Sequence, residues 1–484
     1  MNKYLIDNRN LTMLTDFYEL TMMAGYLDNE VSETPVVFDL FYRKNPDNGG
    51  YVIATGLEQV IEYINNLHFD QEDLDYLKEK GFNDKFIDYC RNFKFTGTIH
   101  AVKEGTVVYP YEPIVQVVAP MNQAQLVETA LLLTINHQSL IATKASRIKR
   151  TAGDALVMEF GARRAHSYDG AIIGARASYI GGADATATVS ADQYYDVKAV
   201  GTMAHSWVQF FDDEYEAFKA YAKAYPDNCS ILIDTYNVLK SGLPNAIRLH
   251  KEVLAPQGKA LKGIRIDSGD LAYLSKQCRK ILDENGMQDT KIIVSNSIDE
   301  YTLESLNNQK APIDSYGIGE RMITSKSDPV FGGVYKLASV YNEITDTWEP
   351  RIKLSENTEK ITNPGYKQIY RLYNEEGYSI CDVIAFRDEE APKPNVPYKV
   401  VPMDKYYRTY EITPSKVEPL LIDIFKDGNQ VYTSPNIHEI KQYAKSQLEQ
   451  IWDEEKRLHN PNVHWVDLSE KLNKKKMEMI EVER

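Results

Sequence analysis

Between residues 150 and 330 the chain repeats one pattern: a short apolar run, a polar or glycine turn, then a stretch of helical period. The runs occupy residues 155–160, 230–234, 263–267, 291–295 and 315–319. Uninterrupted apolar runs of this length read as strands buried on both faces, and their alternation with helices predicts a parallel sheet with crossover helices. No glycine-rich dinucleotide turn opens the first unit, which favours an irregular β/α barrel, although periodicity alone is compatible with an open doubly wound sheet.

The flanking regions follow other periods. Residues 1–130 open with a helical stretch around 15–26, then an alternating run at 36–42, a helix at 57–67 and short β runs at 98–102, 105–109 and 114–119, which together predict an α+β domain. A long helix over 123–150, with Lys144, Arg147 and Lys149 in its last turns, leads into the α/β region, taken as 131–335. Residues 336–484 read as a β-rich and helical region that packs partly on the N-terminal domain, with a helix over 438–457. The charge-dense end, 471–484, is expected to be mobile and solvated.

Composition narrows the function. The chain has 484 residues, 43% of them apolar, and its 55 basic against 70 acidic side chains leave a net charge of −15. That balance argues against a nucleic-acid or anionic-membrane surface. The cysteines, Cys90, Cys229, Cys278 and Cys381, form no C-x-x-C pair, so a reducing, cytoplasmic location is expected. No 18-residue apolar stretch occurs, so no membrane span is expected. P-loop, H-E-x-x-H and G-x-S-x-G patterns are absent. Asp212-Asp213 lacks the Thr-Gly-Gly-Thr loop that would make it a phosphoribosyl site, and reads as a solvated helix start.

The candidate chemistry lies at the strand exits. Glu159-Phe160-Gly161-Ala162-Arg163-Arg164 combines a stacking ring, a glycine and two guanidinium groups, which suit a planar anionic ligand; the bland alternative is a core Phe beside surface arginines. The turns at 179–186, which include Asp184, and at 201–207 expose backbone N–H groups that can cradle phosphate. His205 stands in the second of these between Thr202 and Ser206, placed for nucleophilic or acid/base work. Asp234 and the Arg265-Ile266-Asp267-Ser268-Gly269-Asp270 segment offer carboxylates for Mg²⁺ or a ribose diol, and Asp267 with Asp270 equally makes a helix N-cap pair. Gly317 and Gly319 end a late strand, where β/α barrels commonly hold phosphate.

These segments, with Leu14-Thr15-Asp16-Phe17-Tyr18-Glu19-Leu20-Thr21-Met22 and Gly333-Val334-Tyr335-Lys336-Leu337, resemble the nicotinate phosphoribosyltransferase family in wording and in order from about residue 10 to 390. The resemblance implies an irregular β/α barrel with a packed α+β domain, and synthesis of nicotinate mononucleotide from nicotinate and 5-phosphoribosyl 1-diphosphate in NAD salvage. It further implies ATP hydrolysed alongside through a phosphohistidine at His205, with ATP and Mg²⁺ as cofactors. A homodimer with shared sites is implied: Tyr18 of one subunit and Phe160 of the other would sandwich the pyridine. Thr202 and Arg265 would position nicotinate or ribose, Arg163 the carboxylate or diphosphate, Asp234 and Asp267 ribose and metal, and Gly317, Gly319 and Thr324 the phosphate. At Glu320-Arg321 the sequence departs from the small hydroxyl residue expected there. Nicotinamide phosphoribosyltransferase, and a catalytically silent metabolite-binding protein on the same fold, are the rival readings.

Overall fold

The computed structural model describes residues 10–403 and 407–482, and divides into two compact units: one runs to Leu140 and resumes at Val330, the other spans Ile141–Pro329. The sequence pattern marks three consecutive regions; the first and third of these fall in a single unit. The cause is strand pairing, since Pro35–Phe41 lies antiparallel to Val334–Asn342, with Val36 opposite Val340 and Phe41 opposite Val334. The boundary near residue 140 falls inside one helix, Glu128–Ala152.

The Ile141–Pro329 unit is the predicted parallel sheet. Its strands, in sheet order, are Ala185–Thr186, Leu156–Glu159, Ser315–Ile318, Lys291–Ser295, Gly263–Ile266 and Ser230–Leu232, every pair parallel. The first strand in sequence therefore pairs with the last. An open doubly wound sheet would reverse its order at a switch point instead, so this is the cyclic order of a β/α barrel. The ladder is irregular: past Ala185–Thr186 it continues only as a single parallel bridge, Thr186 to Ala199, and does not pair on to Ser230–Leu232.

The strands are mostly apolar because their middles are covered on both faces. Val157, Ile231, Leu232, Ile264, Ile266, Ile292, Val294 and Ile318 are essentially inaccessible and share one core with helix residues such as Phe218, Cys278, Leu282 and Leu303. Three helices start on an aspartate that accepts a backbone N–H of the first turn: Asp213 from Glu216, Asp270 from Tyr273 and Asp299 from Thr302. Asp213 is thus a helix cap, as its sequence context indicates. At the end of the long helix Lys144 and Arg147 are not solvated cations. Both bond Glu300 Oε1, at 2.8 and 3.0 Å, in a buried cluster.

The other unit holds two large sheets and a two-stranded one, Val52–Ile53 antiparallel to Val107–Val108. One has seven strands, all antiparallel, in the order Thr347–Pro350, Val334–Asn342, Pro35–Phe41, Val115–Pro120, Thr98–Ala101, Ile422–Lys426, Asn429–Gln430. The second, of six strands, is centred on Lys367–Tyr373, Ser379–Phe386 and Val466–Ser469. The helix predicted at 438–457 is Ile437–Glu449. The chain end corrects the expectation of a mobile tail: Glu470–Val482 is a helix with Leu472 and Ile480 buried and Lys476 bonded to Asn363 Oδ1 at 2.8 Å. Its charged residues hide two buried apolar positions about two turns apart, Leu472 and Ile480. Residues 483–484 lie outside the described residues.

Candidate active site

Three strand exits of the parallel sheet, those of Ser230–Leu232, Gly263–Ile266 and Lys291–Ser295, converge with Thr202 on one hydrogen-bonded cluster. Arg265 Nε donates to Ser295 Oγ at 3.0 Å, Nη1 to Thr202 Oγ1 at 3.2 Å and Nη2 to Asp267 Oδ1 at 3.1 Å. Ser295 Oγ also donates to Asp267 Oδ1. Arg265 lies 5.7 Å from the centre of the Phe160 ring, within cation–π range. Three of its five N–H donors are thereby engaged, which fixes the guanidinium, so a ligand meets a cation already in place.

Asp234 organises the other half. Its side chain is 1% exposed; Oδ2 accepts from the Asp267 N–H at 2.9 Å and Ser268 Oγ at 2.6 Å, while Oδ1 faces His205 Nε2 at 3.1 Å. A carboxylate only accepts, so Nε2 carries the proton of this bond, and Nδ1 lies on the side of the ring away from Asp234. His205 is 41% exposed and is the first residue of the short helix His205–Phe210.

Phe160 follows the Leu156–Glu159 strand, and its ring occupies the space where a side chain on Gly317 would stand: a Cβ there would come within 2.6 Å of Phe160 Cδ2. Gly317 therefore admits the ring. A Cβ on Gly319 would lie 3.1 Å from the Phe160 carbonyl, and Gly319 precedes the helix Glu320–Ile323. Arg163 and Arg164 are exposed on a single turn, Ala162–Arg164, directly after Phe160-Gly161.

Three expected residues take other roles. Asp184 Oδ2 is occupied by the Val157 N–H at 2.8 Å and Lys149 Nζ at 2.9 Å, while Lys149 also donates to the Ala155 carbonyl; Asp184 thus ties the helix end to the start of a strand. The Thr324 hydroxyl donates to the Glu320 carbonyl, four residues back, at 2.6 Å. Glu320 pairs with Lys326 and Arg321 with Asp299, which accounts for the departure at these positions: both are ion-paired structural residues. Asp270 caps its helix, leaving Asp267 alone in the cluster.

For Mg²⁺ the fit is narrow. Asp234 already accepts three donors, whereas Asp267 takes Arg265 and Ser295 on Oδ1 alone. Among the described residues no group of three or more His, Cys, Asp or Glu is arranged to hold a metal. One free carboxylate oxygen suits an ion that keeps most of its waters and is held largely by substrate phosphates. Asp267 fits that part and Asp234 does not.

Ser295, Ser268 and Glu159 join the site's hydrogen bonds although the sequence does not single them out as site residues: Glu159 and Ser268 stand inside the 159–164 and 265–270 segments, and Ser295 is marked only by its place at a strand end. Tyr18 lies in the other unit, on the helix Phe17–Asp28, 45% exposed with its hydroxyl hydrogen-bonded to Glu128. Burial and the Glu128 and Glu19 charges hold that hydroxyl well above the usual phenol range. Among the described residues no helix is long and apolar enough to cross a membrane.

Comparison with known proteins covers nearly the whole chain. Family models match over residues 13–136 (nicotinate phosphoribosyltransferase N-terminal domain), 155–359 (nicotinate phosphoribosyltransferase family) and 366–476 (nicotinate phosphoribosyltransferase C-terminal domain). The nicotinate phosphoribosyltransferase of Bacillus subtilis (strain 168) is 42% identical over 486 residues, covering 99% of this chain and 97% of its own. That of Caenorhabditis elegans is 33% identical, with coverage of 95% and 92%. The solved structure of human nicotinic acid phosphoribosyltransferase superposes with a TM-score of 0.85 at 28% identity, over 96% of this chain and 99% of that one. A nicotinate-nucleotide pyrophosphorylase from Pyrococcus furiosus shares the fold, with a TM-score of 0.69 at 23% identity over 93% and 99%.

Proposed function

The chain belongs to the nicotinate phosphoribosyltransferase family, and from that premise we propose that it makes nicotinate mononucleotide for NAD biosynthesis, with ATP hydrolysis coupled through His205. The observation that carries the reading is the joined cluster of His205, Asp234, Asp267, Arg265 and Thr202 beneath the Phe160 ring.

The nicotinate ring nitrogen attacks the ribose C1, the bond from C1 to the diphosphate oxygen breaks, and diphosphate leaves. No general base is needed, because that nitrogen already offers a lone pair. The transition state is oxocarbenium-like, so the protein acts by holding ring and ribose in line and by neutralising the leaving group. Phe160 supplies a stacking face, Arg265 a fixed cation, and Arg163 an exposed guanidinium for bidentate contact to carboxylate or diphosphate. Asp267 would hold Mg²⁺, which supplies charge neutralisation at the diphosphate when bound. For coupling, the γ-phosphoryl of ATP passes to a ring nitrogen of His205 with release of ADP, and water later cleaves the phosphohistidine to phosphate. Asp234 orients the imidazole for both events.

We further propose a homodimer in which Tyr18 of the partner closes the sandwich on Phe160. The apolar side chains Leu14, Phe17, Tyr18 and Met22, each more than a third exposed at one helix, support a subunit contact there. The test is mononucleotide formation by purified protein with the phosphoribosyl donor and Mg²⁺, comparing nicotinate with nicotinamide, each with and without ATP. Nicotinate turnover accelerated by ATP supports the whole reading. Preference for nicotinamide would overturn the substrate, and no turnover of either would favour a silent binding protein.

A further inference from the structure

We propose that Glu159 is a positioning residue of this reaction: its buried carboxylate fixes the strand-exit turn that aims the Phe160 ring at the pyridine. The inference rests on the assignment of Phe160 as the stacking face. Glu159 ends the Leu156–Glu159 strand and is 0% exposed. Oε1 accepts the Gly161 N–H, and Oε2 accepts Thr186 Oγ1 at 2.7 Å and Thr188 Oγ1 at 3.4 Å. The backbone adds two ties: the Phe160 N–H donates to the Ile318 carbonyl at 2.8 Å, and the Ala187 N–H to the Glu159 carbonyl at 2.8 Å. Phe160 is thus pinned on one side by its own N–H and on the other through the next residue, whose N–H the carboxylate holds.

The choice of residue is informative. None of the hydrogen-bond partners of Glu159 carries a positive charge, and burial pushes its pKa up against the pull of the two threonines and Gly161. An uncompensated buried carboxylate is a costly way to fill space, and an apolar side chain would fill it without that cost. What the carboxylate adds is acceptor capacity: two oxygens take three fixed donors that come from the turn itself and from the neighbouring strand and loop. The donors sit around Gly161, where a side chain would collide with Glu159 Oε1 at 2.8 Å and Ile323 Cβ at 2.6 Å, so the turn has one packing. With Gly317 leaving room for the ring and Arg265 beside it, the ring's direction follows from the turn's.

The experiment is steady-state kinetics of the full-length protein carrying Glu159→Ala, Glu159→Gln, Thr186→Val, Phe160→Ala and the Glu159→Ala/Phe160→Ala double substitution. Glu159→Ala should raise the KM for nicotinate by roughly 10- to 100-fold and that for the phosphoribosyl donor by less than about threefold, since misplacing a stacking partner acts on one substrate. Glu159→Gln should recover most of the loss: its carbonyl still accepts the Gly161 N–H, and a threonine hydroxyl can turn to accept from its amide. The double variant should be no worse than Phe160→Ala alone, because Glu159 acts through that ring. Additive losses, or equal shifts in both KM values, would reduce Glu159 to a structural residue. If Glu159→Ala does not fold, Thr186→Val, which removes one donor at constant shape, carries the test; an unchanged nicotinate KM in that variant would overturn the inference. An unimpaired Phe160→Ala would overturn the stacking role and this inference with it, whereas an impaired Phe160→Ala beside an unimpaired Glu159→Ala would overturn this inference alone.

Discussion

Asp234 holds His205 from the far side of the imidazole: one carboxylate oxygen stands 3.1 Å from Nε2 while the other is locked by Ser268 and the Asp267 N–H. The acceptor is thereby fixed before any ligand arrives, and with it the ring nitrogen, Nδ1, that stays clear of Asp234. His205→Ala is expected to abolish ATP hydrolysis and the stimulation by ATP while leaving slow ATP-independent synthesis. Asp234→Asn keeps the shape but offers an amide in place of an acceptor pair, and should lower ATP hydrolysis by about 10²-fold. Paired assays of ADP release and mononucleotide formation check both; an undiminished ATPase in His205→Ala would remove that residue from the mechanism.

Gly317 is the second sensitive point. A methyl group there would stand 2.6 Å from Phe160 Cδ2, inside van der Waals contact, so ring or strand must move. Gly317→Ala is expected to cost about 1–3 kcal/mol of stability, the usual range for overpacking, and to raise the nicotinate KM with little change in that of the phosphoribosyl donor. Thermal unfolding and substrate-resolved kinetics decide it: a variant with native KM for nicotinate would show that the ring is not required where the structure places it.

How much of this was legible in the sequence follows from what each residue's neighbours are. The parallel strands read clearly because burial on both faces leaves unbroken apolar runs, and Asp234, Arg265 and Asp267 stand out as charges at the ends of such runs. Ser295 and Ser268 do not stand out, since their value lies in partners 28 and 34 positions away, Asp267 and Asp234. Asp184 and Asp270 looked like their neighbours in composition yet serve as a strand tie and a helix cap, a difference set by which backbone N–H each meets. The pairing of the two ends of the chain into one unit is a property of strand register, to which hydrophobic period is blind.

Tyr18 provides the test of a shared site. Tyr18→Ala should raise the nicotinate KM much more than that of the phosphoribosyl donor, and equal effects on both would make Tyr18 structural. If each site takes Tyr18 from one subunit and His205 with Phe160 from the other, mixed dimers of Tyr18→Ala and His205→Ala chains contain one site with both residues intact. Co-expression of the two differently tagged chains should therefore restore, at nicotinate concentrations well below the raised KM of Tyr18→Ala, ATP-stimulated synthesis that neither variant shows alone there. Absence of restoration in verified heterodimers would place Tyr18 and His205 of a site on one chain.

The last prediction concerns pH and stability, and turns on His100. Its ring is buried between Asp423, 2.8 Å from Nδ1, and Tyr366, whose hydroxyl is 2.7 Å from Nε2. The tyrosine hydroxyl donates to Nε2 and Nδ1–H donates to the carboxylate, an arrangement that needs the neutral imidazole. Burial, together with the charge of Arg387 and against the pull of Asp423, pushes its pKa down to about 4. An unfolded histidine titrates near 6.5, so between these values the unfolded chain binds a proton that the folded one refuses. The contribution of His100 is therefore intact above about pH 6.5 and is lost as the pH falls toward 4, by at most about 3 kcal/mol. His100→Gln, which retains a donor and an acceptor but cannot titrate, should show a shallower fall in urea-unfolding free energy across that window. Carboxylate titrations common to both proteins cancel in the difference, so identical slopes would mean that His100 accepts its proton without opening the sheet.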